Sequence, residues 1–184
     1  GGTTVKLSLI VPCYNEQEVL PMFYDEIIKV SDGMKKEHND IDFEFLFIND
    51  GSKDRTLEIF RELADKDKRV RYISFSRNFG KESGMYAGLK NCKGDYVVVM
   101  DADLQHPPKF LPEMYNYVKD GVMPRPDRKK YNREHLTVLS IIYMLKSVFT
   151  LDQTRELIAG LSAHYSAEEL YTAFCQMQAD SLSE

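Results

Sequence analysis

Asp101-Ala-Asp-Leu-Gln105 sets two carboxylates one residue apart at the end of the apolar run Asp95 to Met100, just ahead of the pair Pro107-Pro108. Two such charges at the mouth of a buried strand are costly unless something positive sits beside them. A divalent cation that carries a phosphorylated substrate is the economical partner, although an Asp-x-Asp pair also serves in solvated turns and helix caps. Gln105 adds a hard, neutral oxygen suited to Mg2+ or Mn2+, and is preferred to His106, which reads either as a metal ligand or base or, with Pro107-Pro108 behind it, as turn surface. Three other clusters could do related work. Asp50 in Asn49-Asp-Gly-Ser52 is either a satisfied turn residue or a carboxylate that accepts from a base N–H or a ribose hydroxyl. Tyr14 and Glu16 either start a helix or wall a nucleotide pocket, with the ring against base or ribose. Arg77 and Lys81 flank a Gly-bearing turn at a helix start, a geometry suited to anions, or else are solvated surface cations.

The elements that must position these residues alternate. Lys6–Pro12 is a short apolar run, followed by helical spacing at Val19, Leu20, Phe23, Ile27 and Val30, with Asn15 the expected N-cap and Gly33 the expected stop. Phe43–Ile48 reads as the second strand, and Ser52 or Asp54 as the cap of a helix that turns Leu57, Ile59, Phe60 and Leu63 inward. Val70–Phe75 is the third strand, a helix follows over Met85, Ala87 and Leu89, and Asp95–Met100 is the fourth strand. Strands separated by single amphipathic helices predict an α/β fold with a mostly parallel sheet. Ligands bind such sheets outside the carboxyl ends of the strands, where all four clusters fall.

The pattern changes after Gly121. Residues 122–132 form a basic, Pro-containing linker, and residues 133–184 read as an all-helical tail, with helices at about 133–149, 152–161 and 167–179. Ser166-Ala-Glu-Glu169 matches a capping box. The organisation expected is therefore 1–121, linker 122–132 and tail 133–184. The apolar content of the tail offers a surface for packing against another copy of the chain.

At 184 residues with a net charge of −5, the chain fits one domain with an appendage and lacks the basic face of a nucleic-acid binder. Cys13, Cys92 and Cys175 are odd in number and show no paired spacing, so neither a disulfide framework nor a zinc site is expected, and a reducing, cytoplasmic setting fits best. No signal peptide is read at Gly1-Gly-Thr-Thr4, and the most apolar stretch, Leu136–Phe149, is too short to span a bilayer. Walker loops, nucleophile elbows and zinc-protease helices are absent.

Taken in order, Val11-Pro-Cys-Tyr-Asn-Glu16, Ile48-Asn-Asp-Gly-Ser-Lys-Asp-Arg-Thr56, Ser76-Arg-Asn-Phe-Gly-Lys-Glu82 and Asp101-Ala-Asp-Leu-Gln-His-Pro-Pro108 resemble the family 2 glycosyltransferases of GT-A fold. Within them the likeness is to the polyprenyl-phosphate branch, the dolichol-phosphate mannose synthases and undecaprenyl-phosphate glucosyltransferases. It covers about residues 5–121. The resemblance implies that Pro12, Tyr14, Glu16 and Asp50 hold the nucleoside, that Lys81 and Arg77 lie near the donor phosphates, and that Asp101, Asp103 and Gln105 face the metal, Asp101 and Asp103 as the catalytic pair. It further implies Mg2+ or Mn2+ as cofactor, a UDP-glucose or GDP-mannose class donor, a polyprenyl phosphate acceptor at the cytoplasmic face of a membrane, and transfer with inversion. Acceptor-side residues have no counterpart after Val122, which truncation, frameshift or fusion would each explain. The alternative is a nucleotide-sugar-binding or assembly module without turnover.

Overall fold

The structure is a computed structural model that describes residues 4–102 and 108–119, together with 156, 159–160, 163–166 and 169. Its elements run β1 (Val5–Cys13), α1 (Leu20–Glu37), β2 (Ile41–Asn49), α2 (Thr56–Lys66), β3 (Val70–Ser74), α3 (Lys81–Asn91), β4 (Tyr96–Val99), and a 3-10 turn at Pro108–Phe110 that leads into α4 (Leu111–Lys119). The four strands form one parallel sheet in the order β3-β2-β1-β4. This is the expected α/β architecture. β1 and β2 are apolar almost throughout because both of their faces are covered.

Alternation along the strands decides which helix each residue meets. Phe47 lies 5.0 Å from Phe60 of α2, centroid to centroid, so the odd-numbered residues of β2 face α1 and α2. Ile10 and Ile48 face α3, whose Gly88 comes so close that an added Cβ would lie 2.6 Å from the Ile10 side chain. α4 docks on β4 through an edge-to-face contact of Tyr115 with Tyr96 at 5.9 Å.

Three local expectations are corrected. Asn15 does not cap α1: the helix starts at Leu20 after Val19, with Pro21 in the first turn, a position where its missing N–H costs nothing. Gly33 does not stop α1, which runs on to Glu37 because Ser31 and Met34 are buried on its inner face. Neither expected residue is the N-cap of α2, which is Arg55 with no side-chain cap bond: Asp54, one residue earlier, accepts from Thr56 N–H at 2.9 Å, and Ser52 accepts from Asn15 N–H. Gly33 is exposed within the helix and a Cβ there would meet nothing within 4 Å. Gly33→Ala is therefore expected to stabilise the protein by about 0.5–1 kcal/mol, seen as a higher urea midpoint at unchanged slope.

A buried charge sits in the N-terminal half of the sheet on the α3 side. Glu44 is 4% exposed, accepts from Ser8 Oγ at 2.6 Å and Lys93 N–H at 2.8 Å, and pairs with the Arg71 guanidinium. Ser8 Oγ in turn accepts from Gly94 N–H at 2.8 Å. One carboxylate thus ties β1, β2, β3 and the α3–β4 connection together. Burial pushes the Glu44 carboxyl up, but the bonds from Lys93, Ser8 and Arg71 outweigh it and hold the group below its ordinary value.

In the tail, the capping box forms as expected: Glu169 Oε2 accepts from Ser166 N–H at 3.0 Å and Ser166 Oγ from Glu169 N–H at 3.2 Å. Most of the expected linker and tail lies outside the described residues. No helix among the described residues is long and apolar enough to cross a membrane.

Candidate donor and metal site

The sheet order reverses between β1 and β4, since β2 and β3 extend from one side of β1 and β4 lies on the other. That junction is where an open parallel sheet makes its crevice. Its fork has a visible cause. β1 and β4 pair from Leu7 to Ile10, and the last bond runs from Met100 N–H to Ile10 O. Backbone groups of a strand point alternately to its two neighbours, so Pro12 turns its N toward the β4 side and Cys13 its carbonyl toward β2, where Asp50 N–H meets it at 2.9 Å. Proline has no N–H to offer β4, and the strands part there. Pro12 and Asp101 consequently stand on opposite lips of the fork.

The loops around this fork are laced to one another by side-chain-to-backbone bonds. Asn15, in the left-handed region at φ 52, gives its N–H to Ser52 Oγ and accepts from Lys53 N–H. Glu16 N–H reaches Thr56 Oγ1 at 2.9 Å and Gln17 N–H reaches Asp54 at 3.2 Å. Asn49 Oδ1 closes its own turn through Ser52 N–H and its amide reaches Ser74. Asp50, 6% exposed, accepts from Phe79 N–H at 2.7 Å on one oxygen and Gly80 N–H at 3.1 Å on the other, and its carbonyl accepts from the Asn78 amide. The first loop therefore holds the second, and the second holds the third.

The third loop places Lys81 at the start of α3, with its ammonium 3.4 Å from Asp101 Oδ1. Arg77 lies over the Phe79 ring at 4.6 Å, at the outer side of the same loop. Tyr14 is 44% exposed at the mouth, where a flat ligand has access to its ring. A cavity of about 280 Å³ is lined by Asn15, Glu16, Gln17, Glu18, Val19 and Asp54, and of the expected site residues only Glu16 reaches it. The structure thus gathers Pro12, Tyr14, Glu16, Asp50, Arg77, Lys81 and Asp101 at one end of the sheet. Asp103 and Gln105 lie outside the described residues.

Burial pushes the Cys13 thiol far up, and the charges of Glu16, Asp101 and Asp54 push it in the same direction. Asp101 is a hard oxygen donor with only 12% of its side chain exposed, which suits Mg2+ or Mn2+ better than a softer metal. Among the described residues no three His, Cys, Asp or Glu side chains converge to form a metal site by themselves. Of the three ligands expected, Asp101 alone lies among the described residues.

The sequence model of the glycosyl transferase family 2 matches residues 8–167. The chain belongs to this family. As a family 2 glycosyltransferase chain it is 43% identical over 156 residues to a bactoprenol glucosyl transferase of Shigella phage SfV, covering 83% of this chain and 49% of that protein. It is 44% identical over 117 residues to the uncharacterized glycosyltransferase YkcC of Bacillus subtilis, covering 64% of this chain and 35% of that one. The chain thus spans between a third and a half of the curated relatives it matches. The family match reaches beyond Gly121, where the likeness read from the motifs stops. A mannosyltransferase from Pyrobaculum calidifontis, solved in complex with GDP-Man and Mn2+, shares the fold with a TM-score of 0.52 at 21% identity, over 65% of this chain and 34% of that one.

Sequence reasoning missed Asn15, Ser52, Asp54 and Thr56 as a lacing set. Its signal was present in residue type, since Asn is the side chain that best tolerates a left-handed backbone. The partners, however, lie almost forty residues away, beyond the reach of any local pattern.

Proposed function

We propose that this chain binds a nucleoside diphosphate hexose together with Mg2+ or Mn2+, as the donor-binding part of an enzyme that passes the hexose, with inversion, to a polyprenyl phosphate. The observation that carries this reading is the position of Asp101 in the fork between β1 and β4, facing the Lys81 ammonium at 3.4 Å. The names of the bactoprenol glucosyl transferase relatives support the lipid acceptor and the hexose. Asp101, Asp103 and Gln105 would hold the cation, which offsets the charge of the departing diphosphate. Pro12, Tyr14, Glu16 and Asp50 line the nucleoside end. Each Asp50 oxygen spends one lone pair on a backbone amide and keeps a second for a base or ribose donor. Lys81 and Arg77 meet the phosphates.

The site is rich in acids, which suits this reaction. A phosphate acceptor is already ionised at neutral pH and needs no general base; the main task is to stabilise the leaving group. The acceptor would be met at the cytoplasmic face of a membrane. Residues 1–121 are the donor-binding unit in this reading, joined by the linker at 122–132 to the tail.

Thermal unfolding tests it. With Mn2+ and UDP-glucose or GDP-mannose at a hundred times the Kd, the native state gains about 2.7 kcal/mol and Tm rises by about 5–10 °C. Asp101→Asn should abolish the rise. Persistence of the shift in that variant would sink the metal assignment, and no shift of the wild-type chain with either sugar nucleotide would sink the donor reading. Transfer of labelled hexose to a polyprenyl phosphate then separates an enzyme from a binding module.

A further inference from the structure

Asp50 joins the turn after β2 to the loop before α3 through three bonds. Its two carboxylate oxygens accept from consecutive amides, Phe79 N–H at 2.7 Å and Gly80 N–H at 3.1 Å, and its carbonyl accepts from the Asn78 side chain at 3.2 Å. Two successive amides aimed at one anion make an anion-binding concavity. Here the anion is a carboxylate of the chain itself, so both amides are engaged before any ligand arrives. What this loop can offer a phosphate is then chiefly its flanking side chains, Arg77 and Lys81. The same contact also gives the loop its shape. Gly80 has φ 96 and no side chain to fix the turn into α3, and the Phe79 ring is 48% exposed, so burial does little to hold it. The bonds from Asp50 supply what burial does not. Gly51, the next residue, lies against the same backbone: an added Cβ would be 2.2 Å from Arg77 C and 2.3 Å from Asn78 N.

We propose that Asp50 is a positioning residue for the phosphate end of the donor, acting through residues 77–81, in addition to its place at the nucleoside end. The inference rests on the reading of Arg77 and Lys81 as phosphate-facing. Its consequence is that one carboxylate serves both ends of the ligand. Asp50→Asn keeps the shape of the side chain but removes the charge, and its NH2 group confronts an amide that also donates. One bond of the clasp is lost and the other weakens. The loop then holds Arg77 and Lys81 less firmly, and the cost of fixing those long side chains falls on diphosphate binding.

The test compares each nucleoside with its diphosphate, uridine with UDP and guanosine with GDP. Affinities are measured by calorimetry in one Mn2+ buffer for the wild-type chain, Asp50→Asn and Asn78→Ala, with urea midpoints to show that each is folded at the assay temperature. The ratio of the two affinities isolates the phosphate end. For the base that the wild type prefers, Asp50→Asn should weaken the diphosphate roughly thirtyfold and the nucleoside only about threefold. Asn78→Ala leaves the Asp50 carboxylate in place and removes only the bond to its carbonyl. It should weaken the diphosphate about threefold and leave the nucleoside unchanged. A role as nucleoside ligand alone gives a different pattern: equal losses for both ligands in Asp50→Asn and no loss for either in Asn78→Ala. That pattern overturns the positioning role while the donor reading stands. Should Asp50→Asn fail to fold, the two affinities of Asn78→Ala decide by themselves. If the wild-type chain binds neither diphosphate more tightly than its nucleoside, the phosphate-facing reading of Arg77 and Lys81 fails, and the positioning role fails with it.

Discussion

Gly51→Ala is expected to destabilise the protein by about 3–5 kcal/mol, lowering Tm by about 10 °C or more. Two penalties add. The residue has φ +70, a left-handed backbone that costs an L side chain about 1–2 kcal/mol. In addition, a Cβ there would lie 2.2 Å from Arg77 C and 2.3 Å from Asn78 N, main-chain atoms that cannot rotate out of the way. The clash separates the turn after β2 from the loop before α3, the same contact that Asp50 closes through Phe79 and Gly80. The displaced loop carries Lys81, so the variant should also lose sugar-nucleotide binding at temperatures where it is still folded. Urea unfolding within 1 kcal/mol of wild type would show that the two loops are not held as described.

Glu44→Gln is expected to cost about 2–4 kcal/mol at neutral pH and to flatten the acid limb of the stability curve. The neutral amide can no longer pair with Arg71, and it cannot accept from Ser8 and Lys93 with a charged oxygen. The pH dependence has a definite sign. The folded carboxyl sits below its ordinary value of 4.5. Its contribution is therefore complete above that value and is lost as pH falls from there through the folded pKa. Urea titrations between pH 3 and 7 should show the wild-type midpoint falling steeply in that window and the Gln variant falling less. Parallel curves would mean that Glu44 is not the group responsible.

These two residues mark what could and could not be read from the sequence. The strands were legible because buried parallel strands are apolar runs, and the clusters at their ends stood out against them as polar interruptions. Gly51 was legible as a turn residue, but its closeness to Arg77 was not, since that loop begins twenty-five residues later. Glu44 is a single charge within the apolar run Phe43–Ile48, and nothing local marks it as buried. Its partners Ser8, Arg71 and Lys93 come from three other elements, and only the sheet order brings them together. Asn15 and Gly33 misled for a different reason. Each residue type has more than one use, and tertiary context made the choice: a left-handed link to Ser52 and Lys53 for Asn15, and continuation of a helix with a buried face for Gly33. At Asp50, the two local readings omitted a third, the clasp across to Phe79 and Gly80.

The lacing of the strand-end loops also bears on the order in which the molecule assembles. Bonds from Asn15, Glu16 and Gln17 span 37, 40 and 37 residues, and those from Asp50 to Phe79 and Gly80 span 29 and 30. The first three need β1 beside β2 and the Asp50 pair needs β3 beside β2, because the chain entropy of bringing such distant segments together is met by strand pairing and core burial, not by single hydrogen bonds. The loops at this end of the sheet thus close after the strands that carry them have paired. They are also a cooperative unit, since loosening any one loop releases the amides of its neighbours. A nascent chain would acquire this loop cluster all at once, after its core.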